Sequence, residues 1–385
     1  MSENAKSKVV VASGVVMCAI VVLLFLEVES QWKVTALAIG VIAALLVLEK
    51  TGMRARMEDA SVTHRTFALN FAFAAILAVA GALHESHFAL LMLATVALYA
   101  TACLGLTIQF GYAGIANFAG AAFFGIGCYS AAILTTRTPL PHLLVIFAGG
   151  IAAAAIGSIL ILPMLRTRGH YAALITIAFG ILFKTFLEVN DTLGGPQGLK
   201  VPGLKILGWS FNDPIHLGEG IEASFYLNYV VLAVLLAASA YIIVKRLERS
   251  WIGLNFDAVR LDETAAAVSG IDIARWKILA FVSGNFLTGM AGAVYAMMSG
   301  FIAPNSFTFG DSLILVSIVI LGGLGNPLGV ILAALLLLVL PEKLQVIQEY
   351  RFLLYALLVI LILLFRPEGL LPRRLRVYFA QRVRA

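Results

Sequence analysis

Charged residues are scarce in this chain: among 385 residues, Asp, Glu, Lys and Arg make up 12%, whereas 61% of the residues are hydrophobic. A soluble domain carries about a quarter charged residues. A water-soluble fold of this length could not bury so much apolar surface, so lipid must surround most of the chain. The composition therefore predicts an all-α, polytopic transmembrane helical bundle.

Several residue patterns are missing from the sequence, and each missing pattern argues against a class of function. The three cysteines, Cys18, Cys103 and Cys128, lie inside apolar runs, so neither a disulfide framework nor a metal site is expected. The chain has no Gly-x-x-x-x-Gly-Lys-Ser/Thr motif to hold ATP phosphates and no nucleophile elbow, so we expect no cofactor and no catalytic residue in it. Few acids or histidines lie inside the apolar runs, which disfavours a proton-coupled carrier and a membrane-embedded enzyme.

Apolar runs long enough to cross a bilayer, about 20 residues each, recur along the whole chain. We predict about 11 spans (10–12): 9–28, 32–48, 66–82, 88–108, 118–136, 142–165, 171–187, 225–244, 277–299 and two or three within 311–365. The first is interpreted as an uncleaved helix rather than a signal peptide, because it is long and Val28-Glu29-Ser30 is a poor cleavage site.

The basic residues fall between the apolar runs rather than in one stripe, which argues against nucleic-acid binding. With both termini cytoplasmic, 20 of the 27 Lys and Arg residues lie on the inside, as the positive-inside rule requires. This divides the chain into two N-terminal helices and a loop (1–65), a transmembrane permease domain (66–371) and a basic tail (372–385). Arginines of the tail, Arg373 among them, are interpreted as an orientation signal and an anchor for anionic lipid.

Two polar loops lie on opposite sides of the predicted bundle: an external loop at 188–224 and an internal loop at 245–276. The internal loop has no proline and predicts a helix, with Asp257 as N-cap and Gly270 as the residue after its end. Its alanines leave a smooth face that another protein could approach, although a helix lying among lipid headgroups fits the same pattern. Elsewhere, Asp311 is expected to cap a helix, and Lys184 and Glu188 to form a local pair.

Glycines break the apolar pattern twice, at 109–118 and at 322–327. Irregular backbone at membrane depth is tolerated where it is buried in protein or lines a cavity, and paired breaks indicate a translocation site. Short connections between closely packed helices are the alternative. The predicted substrate-pathway residues are Gln109, Gly111, Tyr112, Gly114, Asn117, Gly125, Gly323, Gly325 and Asn326.

Four stretches in order carry a resemblance to a known family. They are Gly105 to Tyr129 with its Gly111-Tyr112-Ala113-Gly114 core, Gly194-Gly195-Pro196-Gln197-Gly198-Leu199, Arg260 to Gly270, and Leu321 to Gly329. Together these resemble the LivM-type branched-chain amino-acid permeases, membrane subunits of ATP-binding-cassette importers of the bacterial inner membrane. The similarity spans roughly residues 95–370.

The resemblance implies a pore shared with a second, related LivH-type permease. It also implies two ATP-binding subunits that contact Arg260, Asp262, Glu263, Ala265, Ala266 and Gly270, and a periplasmic solute-binding protein that docks at Gly194, Gly195, Pro196, Gln197 and Gly198. The expected substrate is a branched-chain or similar apolar amino acid. A urea or short-chain amide permease is the alternative within this class, and a stand-alone secondary transporter or channel is the alternative outside it.

Overall fold

The structure, a computed structural model, describes residues 3–28, 65–167, 170–206, 208–213, 215–216, 222–343, 369–371 and 373, with isolated positions between 32 and 40 and between 350 and 364. The described residues form a helical bundle, which confirms the all-α class. Its helices are α1 (Glu3–Glu27), α2 (Arg65–Ala82), α3 (His87–Thr107), α4 (Gly120–Arg137), α5 (His142–Leu165), α6 (His170–Val189), α7 (Tyr226–Arg249), α8 (Trp251–Leu261), α9 (Glu263–Val268), α10 (Ile273–Ser299), α11 (Phe309–Gly322) and α12 (Pro327–Lys343).

Seven stretches of these residues are long and apolar enough to cross a membrane: Ser7–Glu27, His87–Tyr112, His142–Leu165, Tyr171–Val189, Tyr226–Arg249, Ile273–Ser299 and Pro304–Gly322. Six of them lie within a few residues of a predicted span, since an uninterrupted apolar run is a strong signal, and Pro304–Gly322 overlaps the start of the predicted block 311–365. The predicted span 32–48 and most of 344–365 fall outside the described residues, so the total of about eleven stays a prediction.

Helix α10 lies at the centre of the bundle, in contact with α3, α4, α5 and α7. Small residues allow this close approach, as is typical of membrane helices. A Cβ atom added at Gly105 would collide with the carbonyl oxygen of Gly284, and one at Gly127 with that of Gly289. The glycines of α3, α4 and α10 therefore set the distance between these helices.

The predicted polar loops lie at opposite ends of the bundle. The outer end, named after the predicted orientation, carries the α2–α3 turn, the α4–α5 turn, the described residues between 190 and 224, and the α10–α11 connection. The described residues there form six two-residue strands, β1 (Leu199–Lys200), β2 (Lys205–Ile206), β3 (Trp209–Ser210), β4 (Ile215–His216), β5 (Glu222–Ala223) and β6 (Phe301–Ile302), paired antiparallel as β1–β6, β2–β3 and β4–β5. The inner end carries the α3–α4 connection, residues 250–272, the α11–α12 connection, and residues 369–371 and 373.

The internal loop departs from its prediction in two ways. It folds as two helices rather than one, because Asp262 takes an extended conformation and its carboxylate accepts from the backbone N–H groups of Thr264 and Ala265, capping α9. Asp257 is not an N-cap, because it lies inside α8, which is capped instead by Ser250. Gly270 does follow the end of the second helix with φ +82°, as predicted.

The start of α11 also differs in detail. Thr308 is the N-cap, and Asp311 is the third helical residue of a capping box in which each side chain accepts from the backbone N–H of the other residue. The prediction that Asp311 itself is the cap was therefore wrong, although the residue does stabilise this helix end. The break after α11 is confirmed: the helix ends at Gly322 and a new one begins at Pro327.

Candidate functional site

The first glycine break is a change of backbone geometry at the end of α3. Residues Ile108–Tyr112 form one π-helical turn, and the chain then bends back so that the N–H of Ile115 donates to the carbonyl of Gln109 at 2.8 Å. Gly114 has φ +68°, a conformation that favours glycine. A single π turn at the end of an α-helix is rare and frequently marks a functional site.

Three buried amides hold this bend against α10. Nε2 of Gln109 donates to Oδ1 of Asn285 at 2.9 Å and to the carbonyl of Phe281 at 3.0 Å. Nδ2 of Asn117 donates to Oε1 of Gln109 at 2.8 Å. All three amide side chains are fully buried, so hydrogen bonds inside the protein hold the bend in place.

Asn285 belongs to this network, and sequence reasoning missed it. The residue lies in an otherwise apolar stretch of α10, and its Nδ2 has no hydrogen-bond partner among the described residues. An amide inside a membrane helix is a recognised indication of a functional position. That signal was present in the sequence and could have identified the residue.

The second break meets the first at the inner end. A Cβ atom added to Gly111 would lie 2.5 Å from the Cα of Gly325, so the two segments touch through their glycines. Gly325 has φ +87°. Asn326 caps α12 by accepting from the N–H of Leu328 at 3.2 Å. The structure thus brings together two breaks that are separated by more than 200 residues in sequence.

Arg260 connects the internal loop to this junction. Its Nη1 donates to the carbonyl oxygen of Gly111 at 2.6 Å, a group left without a helical partner by the bend. The same side chain packs against Gly114, where a Cβ would lie 3.3 Å from Cγ of Arg260. Burial and the nearby charge of Arg373 lower the pKa of the Arg260 guanidinium. The Arg260 side chain therefore joins α8 directly to the first break.

Arg373 is not a lipid anchor, contrary to its interpretation from sequence. Its guanidinium forms a bidentate pair with the Asp257 carboxylate at 2.6 and 2.9 Å, and Nε lies 3.6 Å from Oε1 of Glu248. The guanidinium carbon lies 4.5 Å from the ring centroid of Tyr112. Although burial lowers the pKa of Arg373, the hydrogen bonds and charge of Asp257 outweigh it, so the net shift is upward.

Helix α9 protrudes from the inner end. Every residue from Leu261 to Gly270 is exposed except Ala266, which anchors the helix to the bundle. The exposed set includes Leu261 and Val268, with 70% and 87% of their surfaces accessible. Glu263 pairs with Lys277 of α10 at 2.6 Å. The exposed segment 261–270 is thus a candidate contact surface for another molecule.

The glycine motif of the external loop forms two short 3₁₀ turns, Asp191–Leu193 and Gly195–Gln197. Positive φ values at Gly194, Gly195 and Gly198 permit this compact path. Gly198 approaches the carbonyl of Ile302 so closely that a Cβ would collide with it. Pro196 and Gln197 lie exposed on this surface. Their predicted role in docking a binding protein stays a prediction.

The remaining predicted residues are placed as follows. Gly125 lies apart from the inner junction. A Cβ atom added to Gly125 would lie 2.8 Å from the ring of Phe183 and 2.9 Å from that of Phe307. Tyr112 is fully buried beneath Arg373. Gly323 has φ +101° at the end of α11. The pathway role of these residues stays a prediction.

The described residues contain no cluster suited to a metal ion, and Lys184 and Glu188 pair at 3.1 Å as predicted.

Comparison with known proteins bears on this arrangement. Residues 88–365 match the family model described as branched-chain amino acid transport system / permease component. The chain is 34% identical over 282 residues to the high-affinity branched-chain amino acid transport system permease protein LivM of Escherichia coli K12, which covers 70% of this chain and 66% of that protein. It thus spans about two thirds of the length of that relative. No solved structure matches.

More distant relatives are matched over most of their own length. The probable branched-chain amino acid transport permease protein LivM of Methanocaldococcus jannaschii is 25% identical over 326 residues, 72% of this chain and 91% of that protein. The permease protein LivH of Salmonella typhimurium is 24% identical over 291 residues, 71% of this chain and 91% of that protein. The matched residues 88–365 include the two breaks and α8 to α10, but not Arg373.

Proposed function

The chain belongs to the family of permease components of branched-chain amino-acid transport systems, and from that premise we propose that it is the permease subunit of an ATP-binding-cassette importer for branched-chain or similar apolar amino acids. It is a multi-pass protein of the bacterial inner membrane. In this proposal it forms one half of a translocation pore, and a related LivH-type permease forms the other half.

The observation that carries the proposal is the connection between α9 and the first break. Helix α9 offers an exposed surface that ends in Val268 and is continued by Leu261, the last residue of α8. Helix α8 is joined to α9 at Asp262. Its Arg260 side chain donates a hydrogen bond from Nη1 to the Gly111 carbonyl at 2.6 Å. A self-sufficient carrier has no need of such a protruding helix. An importer needs one, because ATP hydrolysed in another subunit must move the membrane helices.

The mechanism follows from these contacts. Two ATP-binding subunits grip the α8–α9 surfaces of the two permeases, and their closure on ATP displaces α8. Arg260 transmits that displacement to Gly111, and the Gly111–Gly325 contact carries it to the α11–α12 connection. The translocation pore then opens alternately at the outer end and at the inner end. A solute-binding protein delivers the amino acid to the outer end, near the exposed Pro196 and Gln197.

Reconstitution tests the proposal. The chain is placed in liposomes with its partner permease, the two ATP-binding subunits and the binding protein, and uptake of radiolabelled leucine is measured. We expect uptake only when two conditions are met. ATP must be present on the side of the membrane that carries the ATP-binding subunits, and the binding protein must be present on the opposite side. ATP-driven uptake of urea or acetamide in place of leucine would reassign the substrate. Leucine uptake by the chain alone, driven by an ion gradient, would contradict the importer role.

A further inference from the structure

Residues 369–371 and 373, which we call the C-terminal strap, lie across the inner end of the bundle. The N–H of Leu370 donates to the carbonyl of Leu321 at 2.7 Å, and the N–H of Leu371 donates to that of Gly322 at 3.3 Å. These are carbonyls of the last turn of α11, which have no partner within the helix itself. Gly369, with φ +81°, lies directly against Gly323. One end of the strap therefore caps α11 at the second break.

The other end of the strap reaches the internal loop. Arg373 forms its bidentate pair with Asp257 of α8, and Nη1 lies 3.5 Å from the same Gly111 carbonyl that accepts from Arg260. The Arg373 side chain is only 8% exposed. Glu248, at the end of α7, faces the same guanidinium at 3.6 Å. One side chain thus joins α7, α8 and the first break, and the strap backbone joins these to α11.

We infer that Arg373 is a positioning residue for coupled transport, which holds α8 and the two broken helices as one moving unit. The inference rests on the proposed function. Arg260 links α8 directly to the first break and reaches the second break only through the contact between Gly111 and Gly325. The strap adds a direct link from α8 to the end of α11, so that a displacement of α8 acts on both breaks at once.

The chemistry of the pair suits this role. A planar guanidinium bound through two parallel hydrogen bonds fixes direction as well as distance. The pair is shielded from water and stacked on Tyr112, so screening by salt is weak. Removing Arg373 would leave the Asp257 carboxylate buried without its bidentate partner. Arg373→Gln should therefore release the strap from α8.

The test measures leucine taken up per ATP hydrolysed in reconstituted liposomes. For Arg373→Gln and for Asp257→Asn we expect this ratio to fall by about tenfold, within the range of coupling effects between sites, while ATP hydrolysis continues. The double variant should be no worse than either single one, because both changes remove the same contact. It also carries no unpaired charge from this pair. Arg373→Lys, which keeps the charge but not the two-pronged geometry, should give an intermediate ratio.

The matched control is Arg246→Gln, an exposed arginine on α7 near the same end, which should leave the ratio at the wild-type value. A wild-type ratio in Arg373→Gln would overturn the inference. Losses that multiply in the double variant would overturn it as well, because they would show that Arg373 and Asp257 act separately.

A second measurement does not depend on transport. Leu370→Cys on a Cys18→Ala background is treated with a soluble maleimide. The modification rate should rise severalfold when Arg373→Gln is added, because the strap is then held at one end only. An unchanged rate would overturn the inference even if transport behaves as proposed. Absence of ATP-driven uptake in the wild-type assembly would instead contradict the proposed function, and the labelling result would still report on the strap.

Discussion

At the outer end of the bundle, connections are fixed by backbone pairing and by a neutral hydroxyl, whereas at the inner end two arginines are added to the backbone hydrogen bonds and glycine contacts. Outside, β1 pairs with β6, and the Tyr229 hydroxyl accepts from the N–H of Leu204 at 3.0 Å and lies 2.7 Å from Oδ1 of Asn212. Inside, Arg260 and Arg373 bring α8, the strap and both breaks together.

The difference indicates different roles for the two ends. Backbone pairing around tightly packed glycines has one geometry and cannot shift without breaking. Long charged side chains can follow a displaced partner and keep their hydrogen bonds. We therefore expect substitutions at the outer end to act mainly on the stability of the protein, and substitutions at the inner end to act mainly on the coupling of ATP hydrolysis to transport.

The largest loss of stability is expected from Gly198→Val. Its φ of +77° and ψ of −168° form a conformation that is essentially reserved for glycine, and a Cβ would collide with the Ile302 carbonyl. Strain and collision together should cost about 3 kcal/mol, measured as thermal unfolding in detergent. Gly208→Val is the control, since Gly208 also has positive φ but has open space around it. Equal losses for the two variants would show that the contact with Ile302 contributes nothing.

A smaller loss is expected from Tyr229→Phe. The substitution leaves the fully buried N–H of Leu204 without its acceptor, at a cost of about 1–2 kcal/mol. Tyr226→Phe is the control: its ring contacts that of Phe225 at a tilt, and the substitution should be close to neutral. Thermal unfolding again provides the measurement. Uptake per ATP should be preserved in both variants. A coupling defect in Tyr229→Phe would contradict the expectation that outer-end substitutions act mainly on stability.

The smallest effect on stability is expected from Glu263→Gln at the inner end. The carboxylate is half exposed and its pair with Lys277 is a surface contact, so the change in unfolding free energy should be less than about 0.5 kcal/mol. Uptake per ATP should nevertheless fall, because the residue lies on the surface proposed to contact an ATP-binding subunit. Glu85→Gln, an exposed acid at the outer end, serves as control. Normal coupling in Glu263→Gln would count against that contact.

Much of the architecture could be predicted from the sequence, because bilayer-length apolar runs and glycine breaks are local features. The predicted span 142–165 coincides with α5, and the interruptions at 109–118 and 322–327 are real breaks. The division of the internal loop at Asp262 was missed, although an aspartate followed by Glu263 is a good start for a helix.

The contacts that define the inner junction could not be predicted in the same way. Asp257 and Arg373 are 116 residues apart, and nothing local in either segment indicates the other. Arg373 has the sequence surroundings of a lipid anchor, since it is one of several arginines in the tail, and only the fold reveals its carboxylate partner. The meeting of Gly111 with Gly325 likewise depends on how α3 and α11 pack together.

The central claim is that the internal loop drives the first break through Arg260. The most direct test measures ATP hydrolysis and leucine uptake together, in the same liposomes, for the wild-type assembly and for Arg260→Gln. Loss of the hydrogen bond to Gly111 is predicted to lower uptake per ATP by about tenfold while hydrolysis continues. Uptake per ATP equal to that of the wild type would contradict the account.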